Sequence, residues 1–481
     1  MRPLLQEITT QHTPESLVER LSGEPGVVLL RSALFDSAQA RYSFVAARPF
    51  LTLRAFGSRC ELRSAEHHHI QFGNPWHVLD GLMARFELLD EVDLPFPLGG
   101  CFGYWGYDLK NFVEPKLPRR AVNDLELPDC QVGFHDSLVA FDHHLGKTWI
   151  IATGLDLDGS RSELNAQQQQ EFWQTQLLSP VQDFVPPRNP DPAPPSPPRI
   201  TSNLTRADFI AKVDRVQRYI RAGDIYQVNL AQRLAASCAF SGWELHQRLA
   251  AVSPAPFSAY LDCGDFQLTS SSPELFLRLS GPHILTRPIK GTRPRSADAN
   301  RDAQLTYELQ TSPKEMAELV MITDLLRNDL GRVCEYGSVQ VPELVRLERY
   351  PQVQHLVSTV EGRLRPGRTH FGAFASCFPG GSITGAPKIR AMEIIDELEP
   401  ITRGPYTGSL GYLGFNRESQ LSIAIRTAIL KEHAAYFHVG AGIVADSIPA
   451  AEYEETIAKG RGFLAALGLQ WQTDFSPLPL S

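Results

Sequence analysis

The sequence predicts an α+β fold, because stretches with strand periodicity and stretches with helix periodicity occur throughout its 481 residues. In the first half, the runs at 27–30 and 42–47 have strand composition, whereas 77–89 has the apolar spacing of a helix. In the second half, 225–234 alternates apolar and polar side chains like a strand with one polar face, and 314–331 carries a helical apolar stripe. The polar face of 225–234 is a candidate cavity wall.

A proline-rich stretch divides the chain into two regions. Residues 184–199 are half proline and can form neither a helix nor a central strand, so they predict an exposed, semi-rigid linker. This linker separates an N-terminal region, 1–180, from a C-terminal region, 200–470. Just after it, Thr205 predicts a helix N-cap, because Asp208 follows three residues later as in a capping box.

Composition limits the classes of partner and compartment. The net charge of −8 gives no basic surface field, so nucleic acid and anionic membranes are not expected partners. The chain shows neither the apolar run of a signal peptide nor that of a membrane span. The seven cysteines are scattered without a CxxC pattern, as is typical of reduced thiols. We therefore expect a cytoplasmic protein.

The segment 286–295 (TRPIKGTRPR) places one lysine, Lys290, in a narrowly specified backbone. Pro288 restricts its own φ and that of the residue before it, Gly291 allows a turn, and Pro294 confines the exit. By itself the motif also fits a solvated lysine in a surface turn, which is where most lysines lie. A function for Lys290 therefore depends on the residues found elsewhere in the chain.

Two predicted helices each carry a pair of glutamates three residues apart, Glu315 with Glu318 and Glu452 with Glu455. This spacing puts the members of each pair on one helix face. Facing carboxylates suit Mg²⁺, which takes one or two of them, keeps several waters and leaves positions for an anionic substrate. The alternative for each pair is a solvated charged face, since the sequence alone does not show whether the helices meet.

Two glycine-rich segments and one arginine indicate anion binding. The segment 378–398 predicts a glycine turn that leads into a helix, with Pro387 near the first turn, so that backbone NH groups point toward an anion. It lacks the Lys and Ser/Thr of a P-loop, which argues against nucleotide binding. The segment 438–447 predicts a second NH-rich turn. Arg426, in a predicted strand at 421–430, has apolar neighbours, and bidentate carboxylate binding is its expected use. The set suits a small dianionic substrate.

The same motifs resemble those of a known family. TRPIKGT, LLRNDLGRV, HLVSTVEG, GGSITGAPKIRAMEIIDELEP, GSLGYLG, SIAIRT, GAGIVADS and EYEET are similar, in this order, to the chorismate-utilising enzymes, densely over 200–465 and more thinly before 180. The resemblance implies a two-lobed sandwich of antiparallel β-sheets with helices on the outside, as in anthranilate synthase component I. It makes 1–180 the N-terminal region of that fold and 200–470 the chorismate-binding catalytic region.

Within the family the likeness is greatest to component I of the aminodeoxychorismate synthases. Anthranilate synthases resemble PIAGT where this chain has PIKGT, and isochorismate and salicylate synthases carry a lysine where this chain has Gln227. The implied reaction converts chorismate and ammonia into 4-amino-4-deoxychorismate, for para-aminobenzoate and folate. The alternatives are anthranilate synthase component I and, from another class, a non-catalytic regulatory subunit that binds an aromatic ligand. Because no cysteine stands in a glutamine-amidotransferase setting, a separate amidotransferase subunit would supply the ammonia.

The resemblance also implies roles for individual residues. Glu318 and Glu455 would bind Mg²⁺, with Glu315 and Glu452 supporting them through water. Lys290 would be the nucleophile at C2 of chorismate, and Glu274 the acid that protonates the departing C4 hydroxyl. The implied substrate-binding residues are Tyr406 and Arg426 at the enolpyruvyl carboxylate, His355 near the ring, and Thr384, Gly385, Gly440, Ala441, Gly442 and Lys459 in the pocket wall.

A second ligand region is suggested near the N-terminus. Ser32, Arg41, Tyr42 and Ser43 resemble the tryptophan-binding region of the family's N-terminal half. Arg31, however, stands where anthranilate synthases have a glutamate. This departure argues against feedback inhibition by tryptophan and leaves open a structural tryptophan in the same place.

Overall fold

A computed structural model describes residues 2–32, 41–89, 94–181, 200–350 and 353–469, together with the backbone of 476–477. The strands are β1 (Leu4–Ile8), β2 (Val28–Arg31), β3 (Tyr42–Ala46), β4 (Leu51–Phe56), β5 (Arg59–Arg63), β6 (His68–Phe72), β7 (Gly100–Trp105), β8 (Cys130–His135), β9 (Ser137–Asp142), β10 (Lys147–Ala152), β11 (Ile200–Ser202), β12 (Gln227–Ser237), β13 (Phe257–Asp262), β14 (Gln267–Ser272), β15 (Leu275–Ser280), β16 (His283–Arg287), β17 (Ile289–Pro294), β18 (Gln340–Arg349), β19 (Val353–Arg363), β20 (Gly385–Ala386), β21 (Ser409–Gly414), β22 (Glu418–Ile423), β23 (Thr427–Lys431), β24 (Ala434–Ile443) and β25 (Ser476–Pro477).

The helices are interspersed among these strands along the chain. They are α1 (Pro14–Arg20), α2 (Pro75–Phe86), α3 (Lys110–Val113), α4 (Glu163–Leu178), α5 (Arg206–Arg221), α6 (Gly242–Val252), α7 (Ala299–Gln310), α8 (Pro313–Gly331), α9 (His370–Cys377), α10 (Lys388–Leu398) and α11 (Pro449–Ala466). None of them combines the length and the apolar composition that crossing a lipid bilayer requires, a statement limited to the described residues.

The strands form two large, almost entirely antiparallel sheets. Sheet 1 has the order β1-β10-β9-β3-β2-β13-β14-β23-β24-β12-β11-β25, with β20 paired to β12. Sheet 2 has the order β17-β19-β16-β15-β22-β21-β7-β8-β4-β5-β6, with β18 paired to β19. The short pairing of β11 with β25 is parallel. The predicted α+β fold with antiparallel sheets is therefore confirmed.

Both sheets combine strands from the N-terminal and C-terminal regions of the sequence. In sheet 1, β2 pairs with β13, and in sheet 2, β7 pairs with β21. The core between them joins aromatic side chains from distant parts of the chain, such as Trp105 and Phe374, whose ring centroids lie 5.3 Å apart. The predicted linker at 184–199 lies outside the described residues.

Local capping and periodicity follow the sequence closely around α5. Thr205 and Asp208 form the predicted capping box, and the helix ends at Arg221 before Gly223 takes a φ of 84°. Phe209 and Val213 pack against β12 and β24. The helix therefore covers the outer face of sheet 1, which leaves the opposite face of β12 and β24 available for a cavity.

The predicted turn at Gly291 is wrong, because this glycine lies inside β17. The register between β17 and β19 shifts between Lys290 and Thr292, and Gly291 has a φ of 64°. These are the features of a β-bulge, which uses a positive φ without ending the strand. Lys290 is thus held by the edge strand of sheet 2 instead of by a surface turn.

The predicted single strand at 421–430 is also wrong. The strand β22 ends at Ile423 in sheet 2, and β23 begins at Thr427 in sheet 1. Between them the chain crosses from one sheet to the other, and Arg426 has a φ of 49°. Two short buried strands in direct succession have the same composition as one long strand, so periodicity could not reveal the crossing.

The predicted turn at 438–447 is wrong for both of its glycines, which lie in a strand. Gly440 and Gly442 lie in β24, opposite Ala231 and Asn229 of β12. A Cβ on Gly440 would lie 2.6 Å from Asn229 Oδ1, and one on Gly442 would lie 2.4 Å from Gln227 Nε2. The glycines are therefore required by side chains that lie across the strand, and not by a turn.

Candidate active site

A cavity of about 730 Å³ opens where strands of both sheets meet helices α6, α8 and α11. Its size is that of a small-molecule site. Its walls come from β12, β17, β24, the segment at 382–383 and the crossing at 425–426. The charged residues that line it are Glu274, Lys290, Arg293, Lys314, Glu315, Glu318, Arg426, Glu455 and Lys459.

Lys290 lies against the first two turns of α8. Its Nζ is 3.8 Å from Glu318 Oε2, and both side chains are largely buried. The bulge at Gly291 allows this approach, because a Cβ there would lie 2.7 Å from Leu309 Cδ1 and 3.1 Å from Glu315 Oε2. Glu315 and Glu318 therefore lie on the face of α8 that is turned toward β17, as the spacing of three predicts for one helix face.

The second glutamate pair, on α11, divides between two environments. Glu455 lines the cavity and is 2.8 Å from Lys459 Nζ, whereas Glu452 is buried and accepts a 2.5 Å hydrogen bond from Ser447 Oγ. Burial raises the pKa of Glu318, and the charges of Glu315 and Glu455 add to this increase. The helices α8 and α11 thus bring three carboxylates to one cavity. Within the described residues, no three Asp, Glu, His or Cys side chains stand close enough together to hold a metal ion.

Glu274 occupies the corner between β14 and β15. It is 6% exposed, and burial raises its pKa to about 7, although a hydrogen bond with Ser382 and the charge of Lys290 act in the opposite direction. A carboxyl group with such a pKa exchanges a proton near neutral pH, which is the property of a general acid.

Arg426 points into the cavity from the crossing between the two sheets. Burial lowers the pKa of its guanidinium, and among the residues that the structure describes no carboxylate oxygen lies within 4 Å of it. Leaving a buried cation without a counter-ion is costly, so an anionic ligand is expected here.

Burial and the charge of Arg426 lower the pKa of His355 to about 4, which keeps this imidazole neutral at pH 7. Its Nδ1 is 2.8 Å from Thr292 Oγ1.

Comparison with known proteins identifies the family of this chain. The profile described as chorismate binding enzyme matches residues 31–465. The chain belongs to that family. It is 40% identical over 464 residues to aminodeoxychorismate synthase component 1 of Escherichia coli (strain K12), covering 95% of this chain and 96% of that protein. It is 37% identical over 477 residues to anthranilate synthase component 1 of Acetivibrio thermocellus, covering 97% and 95%.

Solved structures agree on the fold of this chorismate-binding enzyme. Anthranilate synthase component I from Streptococcus pneumoniae TIGR4 matches it with a TM-score of 0.76 at 32% identity, covering 89% of this chain and 93% of that chain. The isochorismate synthase MenF from Escherichia coli matches with a TM-score of 0.68 at 17% identity, covering 97% and 94%, which is a likeness of fold alone. Relatives with two different names are about equally similar, so the family and its substrate chorismate are established, whereas the choice of reaction is not.

One end of the cavity contains polar groups, among them His438, that sequence reasoning did not single out. The rings of Tyr406 and His438 stack at 5.1 Å, and His438 is buried with neither ring nitrogen bonded within the described chain. Asn229, on the predicted polar face of β12, also lines the cavity, and its Oδ1 has no partner there. The signal in the sequence that could have identified His438 was its position two residues before Gly440. Ser382 had none beyond its glycine-rich neighbours.

Several predicted substrate-binding residues lie behind the cavity wall. Thr384 is buried, and its Oγ1 donates to Gly380 O at 3.1 Å. Gly385 pairs with Val228, and Ala441 packs with the apolar cluster beneath α5. The glycine-rich segment 378–398 reaches the cavity through Ser382 and Ile383, and not through the start of α10. The roles of Thr384, Gly385 and Ala441 stay predictions.

The strand β24 presents a free edge to the cavity. Its neighbour β23 pairs only with Ala434–Phe437, so beyond Phe437 this edge has no strand partner in the described part of the chain. Gly440 and Gly442 line the cavity there, and Lys459 Nζ donates to Gly440 O at 2.9 Å. Backbone polar groups are therefore available at this edge even though the predicted turn is absent.

The region that resembles a tryptophan site is compact. Ser32 and Tyr42 line a second cavity of about 30 Å³, which is roughly the volume of one water molecule. Ser43 Oγ accepts from Ser32 N at 3.1 Å and lies 2.6 Å from His143 Nε2. Arg41 forms an ion pair with Asp142 at 2.6 Å. Residues 33–40, which adjoin this region, lie outside the described residues.

Proposed function

We propose that this chorismate-binding enzyme is component I of an aminodeoxychorismate synthase, which converts chorismate and ammonia into 4-amino-4-deoxychorismate for para-aminobenzoate and folate synthesis. The observation that carries the proposal is Lys290, an amine that lines the cavity and whose charge acts on Glu274. Similarity to the Escherichia coli protein of that name supports it. Relatives named anthranilate synthase have comparable identity, so the proposal depends on the lysine.

In the first step, Lys290 Nζ attacks C2 of the ring. A C–N bond forms at C2, the C1=C2 and C5=C6 double bonds shift to C1=C6 and C4=C5, and the C4–O bond breaks. Glu274 donates its proton to the departing oxygen, so that water leaves. With a pKa of about 7, an appreciable fraction of Glu274 carries this proton at neutral pH.

In the second step, ammonia attacks C4. The electron pair returns through the ring, the C2–N bond to Lys290 breaks, and a proton from the attacking nitrogen passes to the Glu274 carboxylate. The net change replaces the C4 hydroxyl by an amino group. Because Lys290 occupies C2, ammonia is directed to C4, whereas an alanine at this position would leave C2 open to ammonia, the regiochemistry of anthranilate formation.

The remaining cavity residues would bind the dianionic substrate. Arg426 would supply the cation for the enolpyruvyl carboxylate, together with Tyr406, which lines the same cavity. His355 is neutral at pH 7 and would contact the ring without adding charge. Lys459 and the free edge at Gly440 and Gly442 would assist at the ring carboxylate.

Magnesium is the cofactor that we propose, held by Glu318 and Glu455 with Glu315 acting through water. The donor chemistry fits, because hard carboxylate oxygens from α8 and α11 share one cavity, where burial raises the pKa of Glu318 and the charges of Glu315 and Glu455 add to the increase. Glu452, bonded to Ser447, would support Glu455 from behind the wall. When bound, the ion supplies positive charge that anchors the ring carboxylate of chorismate.

The ammonia would come from a separate glutamine amidotransferase subunit. All seven cysteines of this chain are buried, and none lines the cavity. A glutaminase nucleophile must be accessible to glutamine and activated as a thiolate. Burial raises the pKa of Cys60 and Cys334 to about 11, which opposes that role.

Product analysis tests the proposal. The protein is incubated with chorismate, a magnesium salt and ammonium chloride, and the products are separated by chromatography. The expected product is 4-amino-4-deoxychorismate, with loss of conversion when a chelator removes magnesium. Anthranilate as the product would overturn the proposal in favour of anthranilate synthase component I. No conversion at all would favour a non-catalytic ligand-binding subunit.

A further inference from the structure

Each of the three cavity-lining glutamates on α8 and α11 has a basic partner of its own. Glu318 Oε2 lies 3.8 Å from Lys290 Nζ, and Glu455 Oε1 lies 2.8 Å from Lys459 Nζ. Glu315 Oε1 lies 3.4 Å from Arg293 Nη1. The carboxylates proposed to hold magnesium are therefore engaged in ion pairs within the protein, and a divalent cation would have to compete with these side chains.

The three basic partners are not held equally. Lys459 also donates to Gly440 O at 2.9 Å, and Arg293 Nη1 donates to Thr292 O at 3.0 Å. Lys290 has the longest of the three contacts, and its Nζ forms no hydrogen bond with a described residue. A lysine side chain is a compact charge on a flexible stem, so this ammonium is the one that can leave its carboxylate most easily.

Magnesium and the Lys290 ammonium would compete for the carboxylate of Glu318. Magnesium binds oxygen at about 2.1 Å, so an ion on Glu318 Oε2 would lie within about 6 Å of Nζ in its present position. At that range, in a partly buried site, the repulsion between a divalent ion and an ammonium is large. Movement of Lys290 away from Glu318 relieves it and brings the amine toward the open cavity.

We infer that magnesium and Lys290 exchange at Glu318, so that entry of the metal releases the Lys290 ammonium from its ion pair and lets the side chain move toward the substrate, where the amine formed by loss of its proton to solvent can attack. This inference rests on the proposed function, because it uses the same metal site. It assigns the cation a further effect, which is to free the nucleophile as well as to anchor the substrate. It also makes Lys290 a competitor that weakens magnesium binding in the absence of chorismate.

The first test is the magnesium affinity, measured by isothermal titration calorimetry without chorismate. Lys290→Met should bind magnesium about five- to tenfold more tightly than the parent chain, the factor for removing one partly buried ion pair. Lys314→Met is the matched control, because Lys314 lines the same cavity but lies more than 4 Å from every carboxylate oxygen of the described residues. Its charge acts on Glu318 from beyond 4 Å, so its removal should tighten magnesium binding clearly less than Lys290→Met does. Equal tightening in both variants would mean a general field effect and overturn the exchange.

The second test is a crystal structure of the full chain soaked with magnesium. The exchange requires the distance from Lys290 Nζ to Glu318 Oε2 to exceed 4 Å, while the contact of Lys459 with Gly440 O persists. A bound ion with the Lys290 contact still in place would overturn the inference and leave the proposed function intact. Failure of the parent chain to bind magnesium even with chorismate present would instead overturn the proposed metal role itself.

Discussion

Two cavities lie among the same two sheets, and they differ in whether the buried polar side chains around them have partners within the protein. Around the small cavity beside Tyr42, polar groups satisfy one another, since Arg41 pairs with Asp142 at 2.6 Å and Ser43 Oγ lies 2.6 Å from His143 Nε2. In the large cavity, Arg426 has no carboxylate within 4 Å in the described chain, and Glu274 is buried with a pKa of about 7.

The difference separates a structural region from a functional one. A buried charge that the protein does not neutralise lowers the stability of the fold, so it persists where a ligand or a reaction requires it. Polar groups that are bonded to one another stabilise the region and leave little for a ligand. The chemistry is therefore expected in the large cavity, and substitution of Lys290, Glu274 or Arg426 should cost activity without a matching loss of stability.

The largest effect should follow Lys290→Ala. If Lys290 is the nucleophile, aminodeoxychorismate formation should fall about a thousandfold or more, because no other amine would occupy C2. The measurement is the initial rate with chorismate, magnesium and ammonium. Lys314→Ala, which removes a lysine from the same cavity, should stay within a fewfold of the parent rate. An unchanged rate and product in Lys290→Ala would remove the nucleophile from the mechanism.

The next effect should follow Glu274→Gln. Loss of a general acid should lower kcat about a hundredfold. In the parent chain, activity should decline as pH rises through about 7, since Glu274 then loses the proton that it donates. The variant should lack this decline, which a pH–rate profile would show. A decline of the same shape in both proteins would assign it to another group.

Although Glu274→Gln should lower kcat, it should raise the free energy of unfolding at neutral and alkaline pH. The folded pKa of Glu274 is raised from 4.5 to about 7, so between these values the folded protein holds a proton that the unfolded chain has released. Stability therefore falls as pH rises from 4.5 to 7 and stays reduced above 7. Glu274→Gln removes this loss, and at pH 8 the variant should be more stable by about 3 kcal/mol at most. At pH 4.5 and below the difference should vanish, which denaturant unfolding at the two pH values would measure.

Arg426→Met should have a smaller kinetic effect. The kcat/KM for chorismate should fall about thirtyfold, equivalent to roughly 2 kcal/mol for a lost contact between charges. The melting temperature should rise, because a buried cation without a carboxylate partner is removed. Arg41→Met, which breaks the ion pair with Asp142 beside the small cavity, should instead lower the melting temperature and leave kcat/KM unchanged. Equal thermal shifts in the two variants would contradict the distinction between the cavities.

Local sequence patterns predicted the α+β class and some of the cavity residues, whereas Glu274, His355 and Tyr406 were implied by the family resemblance. The alternation at 225–234 predicted β12 and its polar face, and the spacing of Glu315 and Glu318 predicted one helix face. Sequence reasoning failed where long-range partners decide the structure. Arg426 lies at a crossing between sheets, and only the pairing of β22 with β15 and of β23 with β14 reveals the break.

The two glutamates on α11 show the same limit. Their spacing places both on one face, yet Glu455 lines the cavity and Glu452 binds Ser447. Ser447 lies in the segment between β24 and α11, and its position relative to the helix depends on the path of that segment. A spacing rule identifies a helix face, but it does not identify which neighbour each side chain of that face will meet.

The smallest effect should be that of tryptophan. The cavity lined by Ser32 and Tyr42 has a volume of about 30 Å³, and Arg31, which pairs with Glu15, stands where anthranilate synthases have a glutamate. Because the surrounding polar groups already bond to one another, added tryptophan has few partners to gain. Tryptophan at about 1 mM, a concentration that saturates any site tighter than roughly 0.1 mM, should therefore change the initial rate less than about twofold. Saturable inhibition would show that this region opens to bind tryptophan. The two cavities would then differ in the ligand that they bind, and the region around the small cavity would no longer be purely structural.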